Sequence, residues 1–227
     1  MATKMAMADL QFTDHEGSDT QKVAVLEEPH RMTLRDARIP LPAADEVRIK
    51  IKWVGICGSD LEAYRGTRSP EFVSTPARLG HEVSGTIDMV GAQVIGLKVG
   101  DKVTCRYVWG AYAEYIVCKP FNVKVLPPDF PMLEISPIEV LPGIIHAAEL
   151  GKIDQTKNVL IMGQGVSGLI MTQVVAQFSP KNLVCTDLDP AKLELARKYG
   201  ATHTYLLGSK DEPTMDQARA DFPDGFD

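Results

Sequence analysis

Four apolar residues, Val159 to Met162, run into three glycines, Gly163, Gly165 and Gly168, at the spacing G-x-G-x-x-G. A short apolar run closed by glycines reads as a buried strand turning into a helix, and this spacing is the fingerprint of a dinucleotide pyrophosphate site. Gly163 permits the tight turn out of the strand. Gly165 removes the side chain that would keep a pyrophosphate off the backbone, and Gly168 lets helix and strand pack closely. The N–H groups of Val166, Ser167 and Gly168, at the start of the helix, are then free to face phosphate oxygens.

Taken alone, the glycine spacing also fits a strand–helix–strand unit that binds nothing. Its surroundings favour the binding reading. Leu183 to Asp187 reads as a second strand ending in an acid, nineteen residues beyond Gly168. That is close to the spacing expected of a carboxylate that binds the adenosine ribose. Pro190 to Gly200 suits a helix with proline in its first turn and glycine at its stop. Thr202–Leu206 reads as a third strand, Asp211 to Phe222 as the next helix, and Phe222–Asp227 as the approach to a fourth strand. A doubly wound nucleotide domain normally has six strands in two halves. We therefore expect this chain to be a piece of a longer protein, with only the first half of that domain present.

The residues before this unit follow a different period. From Lys22 to Leu126 the pattern is one of short strands with glycine and proline punctuation: Lys22–Leu26, Met32–Ala37, Glu46–Val54, Val83–Val90, Lys102–Val108, Ala111–Cys118 and Val123–Leu126. Such spacing suggests a compact barrel or sandwich. Pro127 and Pro128 end the regime. An apolar helical stretch, Ile138–Leu150, follows, interrupted by Pro142 and Gly143, and Gly151–Lys157 is a polar connector. The reading is a polar leader over residues 1–21, a mostly-β domain over 22–152 and an α/β domain over 153–227. The net charge of −6 argues against a nucleic-acid or anionic-membrane partner, and no apolar run approaches a bilayer span. The leader lacks the apolar core of a signal peptide. Four cysteines, at 57, 105, 118 and 185, form no C-x-x-C pair, which favours a reducing, cytoplasmic setting over a disulfide framework.

The β region carries a second constellation, Gly55–Asp60 (GICGSD) and Gly80–Glu82 (GHE). Cys57 as thiolate and His81 as neutral imidazole are good zinc ligands, and a catalytic zinc needs a third. Glu82 and Glu139 are the candidates. By themselves, one cysteine and one histidine fit a buried thiol and a satisfied core histidine at least as well.

These pieces occur in a recognisable order: Glu46-Val, GICGSD at 55–60, LGHEVSG at 79–85, VGDKV at 99–103, GAYAEY at 110–115, Glu139 to His146, and the glycine motif with Asp187. The span from Lys22 to Asp227 resembles the zinc-dependent medium-chain alcohol dehydrogenases, most nearly the sorbitol and threonine dehydrogenase type. The resemblance implies a GroES-like β-barrel domain followed by a Rossmann-type doubly wound domain. It implies one catalytic zinc on Cys57 and His81, with Glu82 and Glu139 competing for the third position. It implies a proton relay at Ser59, an orienting acid at Asp60, and ribose contacts from Asp187 and Lys192, the acid favouring NAD. The stretch from Asp101 to Gly110 is too short for the family's four-cysteine lobe, so no structural zinc is expected. The implied activity is hydride transfer between an alcohol or polyol and NAD, in a dimer or tetramer of the whole protein. Two alternatives stay open: a zinc-free NAD(P)H reductase of the same superfamily, and a non-catalytic nucleotide- or zinc-binding fragment.

Overall fold

The computed structural model describes residues 19–208 and 215–227. The leader expected over residues 1–21 lies outside them up to residue 18, as do residues 211–214 of the last expected helix. The chain divides into two compact units, Met1–Glu139 and Val140–Asp227. The polar connector Gly151–Lys157 lies inside the second.

The first unit begins with a hairpin, β1 (Thr20–Glu28) and β2 (Arg31–Arg38). Then come β3 (Val47–Gly55), helix α1 (Gly58–Arg65), β4 (Glu82–Val90), β5 (Lys102–Cys105), β6 (Tyr115–Cys118) and β7 (Val123–Val125). These last five strands form one antiparallel sheet in the order β6-β3-β4-β5-β7. Val47, Ile49, Val83, Ile87 and Val103 are fully buried on one face, together with Cys105, Ile116 and Cys118. The two cysteines are therefore small core residues, and close contact between them, with burial, pushes the Cys105 thiol above its ordinary range. Alternation of burial in β3 fails at Trp53. Register shifts between Arg48 and Ile49 and between Ile51 and Trp53 mark bulges, which re-aim the side chains that follow and leave Trp53 exposed.

Two strands are shorter than their sequence pattern. β5 stops at Cys105, and Tyr107 has a left-handed backbone (φ 59°) that no strand continues through. Ala111–Ala113 leave the β6 ladder because their hydrogen bonds go elsewhere. Ala111 N–H donates to the Gly80 carbonyl (3.0 Å), Tyr112 N–H to that of Leu79 (3.0 Å), and Ala24 N–H to that of Tyr112 (2.8 Å). This detour draws Tyr112 against the Leu79–Gly80 segment. A short helix, α2 (Met132–Ile135), and a 3₁₀ turn over Ser136–Val140 close the unit. Both dock on β4 through hydroxyls, with Ser84 donating to the Met132 carbonyl and Ser136 to that of Glu82 (2.6 Å).

The second unit opens with α3 (Leu141–Leu150). Pro142 stands in its first turn, where no backbone donor is missed, so it starts the helix where interruption was expected. β8 (Asn158–Met162), α4 (Val166–Gln177), β9 (Asn182–Asp187), α5 (Pro190–Lys198), β10 (His203–Leu206) and α6 (Asp216–Asp221) follow. The strands are parallel in the order β10-β9-β8. Central β9 is buried along Leu183–Asp187, as a strand covered on both faces should be. Its Leu183 and Cys185 pack with Ile161, Val175, Ala148 and Ala196. Past α6 the chain returns to the start of β8, where Asp227 N–H donates to the Asn158 carbonyl (3.0 Å) and its carboxylate accepts from Asn158 N–H (2.9 Å). No helix among the described residues is long and apolar enough to cross a membrane.

Candidate metal centre and dinucleotide turn

Cys57 ends the turn after β3 and is the N-cap of α1. His81 ends the irregular segment before β4, and Glu82 is the first residue of that strand. Pairing of Gly55 with Glu82 across β3 and β4 brings the two segments together. A Cβ on Gly55 would displace the Glu82 carboxylate, so glycine there leaves that carboxylate its place. One ligand atom from each of Cys57, His81 and Glu82 lies within 4.8 Å of the other two. Glu139 stands outside this tight set but within electrostatic reach of it. Burial raises its carboxyl above the ordinary glutamate range and the Glu82 charge adds to this, while His81 and Arg106 oppose it.

Asp60 ties the cluster together. It is 4% exposed and sits in the first turn of α1. Its Oδ2 accepts the Cys57 N–H (3.0 Å) and the Tyr112 hydroxyl (3.0 Å), and its Oδ1 accepts the Gly80 N–H (3.1 Å). His81 Nδ1 is 3.8 Å from Oδ1, too far for a hydrogen bond, and is buried with no partner among the described residues. The Ser59 hydroxyl oxygen is also buried and unpartnered. The Trp109 ring lies over His81 at 4.5 Å between centroids, tilted by 49°. Burial, with Asp60 close by, pushes the Tyr112 hydroxyl far above the usual tyrosine range and keeps it a donor. Further along α1, Glu62 is exposed and pairs with Arg68 (3.3 Å), and Tyr64 donates its hydroxyl to the His30 carbonyl (3.1 Å).

In the second unit, Gly163 takes φ +87°, which turns the chain out of β8. A Cβ on Gly168 would strike the Gly163 carbonyl, so helix and turn close only around glycine. Around Gly165, by contrast, a Cβ would meet nothing within 4 Å. No side chain among the described residues caps α4, which leaves its first-turn N–H groups available. Asp187 sits at the end of β9, its Oδ2 accepting the Gln164 N–H (2.5 Å) and its Oδ1 the Asp189 N–H (2.9 Å). Lys192 Nζ stands 3.8 Å from its carboxylate. Burial works against ionisation here, but the two N–H donors and Lys192 outweigh it and hold the carboxyl below the ordinary aspartate range.

Residues 43–128 match the family model of the alcohol dehydrogenase GroES-like domain. The chain is 33% identical over 226 residues to sorbitol dehydrogenase of Bacillus subtilis, covering 87% of this chain and 64% of that one. It is 35% identical over 224 residues to D-xylulose reductase of Saccharomyces cerevisiae, covering 86% and 62%. This chain belongs to the zinc-type medium-chain alcohol dehydrogenase family. It spans a little under two thirds of the length of these two relatives. Among solved structures, that of a protein from Escherichia coli CFT073, described as a short chain alcohol dehydrogenase and complexed with NADH, superposes with a TM-score of 0.78 at 27% identity, covering 90% of this chain and 67% of that one.

In this chain, the residues singled out in the sequence gather into two groups. Cys57, Ser59, Asp60, His81 and Glu82 lie about one cluster with Glu139 at its margin, and Gly163 to Gly168, Asp187 and Lys192 form the other. Sequence reasoning missed Tyr112, Trp109 and Gln164. Gln164 stands between two of the glycines, yet its side chain is fully buried, bonding Thr172 Oγ1 (2.9 Å) on α4 and the Ile161 carbonyl (3.3 Å). A polar residue flanked by glycines between a buried strand and an apolar helix was the available signal, since it needs such partners.

Proposed function

We propose that this chain carries the metal site and the first part of the dinucleotide site of a zinc-dependent oxidoreductase that moves a hydride between a CH–OH group of an alcohol or polyol and NAD. The observation that carries the proposal is the convergence of a thiol, an imidazole and a carboxylate within 4.8 Å, backed by a buried aspartate. Sulfur, nitrogen and oxygen donors suit zinc, and the buried, unpartnered Nδ1 of His81 is the kind of orphan that an ion or a modest carboxylate shift resolves. When bound, zinc supplies Lewis acidity toward the substrate oxygen and NAD supplies the hydride acceptor.

The chain's own residues do the rest. Cys57, His81 and Glu82 would hold the ion, with Glu139 as the second carboxylate in range. Asp60 fixes the two loops that carry Cys57 and His81. The Ser59 hydroxyl, buried and uncommitted two residues after Cys57, would accept the proton of the substrate hydroxyl as it releases its own toward solvent water. The wall of Trp109 limits water beside His81. In the second unit the open space at Gly165 and the uncapped start of α4 receive the pyrophosphate, and Asp187 receives the ribose hydroxyls. Its negative charge disfavours a 2′-phosphate, which favours NAD over NADP. The polyol relatives support the substrate class, and the NADH complex supports a nicotinamide cofactor.

The test is NAD reduction by this protein over a panel of polyols and simple alcohols, with zinc measured on the same preparation. We expect about one zinc per chain, and loss of both zinc and turnover in Cys57→Ser. Absence of zinc from protein purified without chelator, or turnover undiminished by that substitution, would overturn the proposal.

A further inference from the structure

We infer that Tyr112 is a positioning residue of the metal centre, its hydroxyl fixing the Asp60 carboxylate and, through it, the loops that carry Cys57 and His81. This rests on the metal-site reading above and goes one layer further out. The β3–β4 ladder joins the two segments only as far as Gly55 and Glu82. Beyond that pair the chain parts, one side entering α1 at Cys57 and the other running through Gly80 and His81 in irregular backbone. Asp60 spans the gap, with Oδ2 on the Cys57 N–H and Oδ1 on the Gly80 N–H. The terminal torsion of an aspartate is broad and soft. Two backbone donors on opposite oxygens set its plane, but both sit on the loops that the carboxylate itself joins, so a shift of either loop swings it and alters the spacing between Oδ1 and His81 Nδ1, now 3.8 Å.

Tyr112 supplies the third donor, on Oδ2 at 3.0 Å. It is itself well anchored. Its N–H is spent on the Leu79 carbonyl, and it packs against the cluster of Leu26, Ala63, Ala77 and Leu79. Its ring also lies on Gly80, where a Cβ would come 2.7 Å from Cδ1 and where φ is +89°. Phenylalanine would fill the same space and make the same backbone bonds. The ring is therefore a packing element, and the hydroxyl is a separable device that sets the carboxylate.

Cobalt(II) alone, titrated into the whole chain, provides the test, because a thiolate-to-cobalt band and the d–d bands report ligand identity and geometry without turnover. Removing an outer partner of a metal-bound histidine costs about 10–100-fold in affinity, and a residue acting through that partner belongs near the lower end, about tenfold. We expect Tyr112→Phe to weaken cobalt binding by about that factor and to shift the d–d bands. In an Asp60→Asn background the same substitution should change neither, since residues acting in series are not additive. Wild-type affinity and spectrum in Tyr112→Phe, or additive effects of the two substitutions, would overturn the inference, even if Tyr112→Phe lowered the melting temperature of the metal-free chain. A wild-type chain that gives no thiolate-to-cobalt band would instead remove the metal reading, and this inference with it.

Discussion

Between Val159 and Lys192, everything the candidate dinucleotide turn needs comes from one run of 34 residues. A strand, a turn, a helix and a second strand place Gly165 and Asp187 with no help from elsewhere beyond packing. The candidate metal cluster is assembled the other way. Cys57, His81 and Glu82 come from two separate loops, Glu139 lies more than fifty residues further on, and the Asp60 carboxylate, outside the tight set, bonds both loops. The first site is written in backbone conformation and the second in side-chain hydrogen bonds. Backbone sites fail when a side chain is added, whereas side-chain sites fail when one is trimmed.

The largest effect should separate two glycines of the same turn. Gly168→Ala drives a methyl into the Gly163 carbonyl, and neither backbone can yield without opening the turn. We expect a loss of about 3 kcal/mol in urea unfolding followed by circular dichroism. Gly165→Ala meets open space at an ordinary φ of −71°, so stability should change by less than about 1 kcal/mol. NAD affinity, read by calorimetry, should nevertheless fall about tenfold, because the methyl takes the phosphate's place. If both variants lose stability equally, Gly165 serves the fold and not a ligand.

A second pair probes the assembled site. Glu82→Gln removes a member of the tight set, and we expect cobalt affinity to fall about 30-fold, in the range seen when groups about a metal are altered. Glu139→Gln should cost threefold or less, since its carboxyl stands apart and is already biased toward neutrality by burial. The reverse order would make Glu139 the third ligand and Glu82 its neighbour.

This contrast also explains what was legible in the sequence. The glycine turn, β9 and Asp187 could be read directly because local spacing carries the whole structure. Gly55–Asp60 and Gly80–Glu82 carried plausible ligands, but only resemblance to a family joined them into one site, since nothing in their spacing says that they meet. Tyr112 was invisible as a site residue because its strand-like pattern masked the detour of Ala111–Ala113 onto Leu79 and Gly80. The bulges in β3 likewise leave no mark in an alternating sequence, and the left-handed Tyr107 that ends β5 follows from tertiary context, not from residue type.

Asp187 is where the two modes of construction meet, a side chain held by backbone donors, and replacing it should give a smaller effect than Gly168→Ala or Glu82→Gln. Asp187→Asn keeps the shape but cannot accept on both sides, so one of the Gln164 and Asp189 N–H groups loses its partner. We expect a loss of about 1.5 kcal/mol near neutral pH. The folded carboxyl ionises below the ordinary aspartate value of 3.8, so the ionised form is the one the fold favours. Its contribution is complete above that value and is lost as pH falls through the lower folded value. The stability gap between wild type and Asp187→Asn should hence stay level from about pH 7 to 5 and narrow below about pH 4. A gap that widened on acidification would mean that burial, and not the two N–H donors with Lys192, governs this carboxylate, and the charge argument for NAD over NADP would lose its footing.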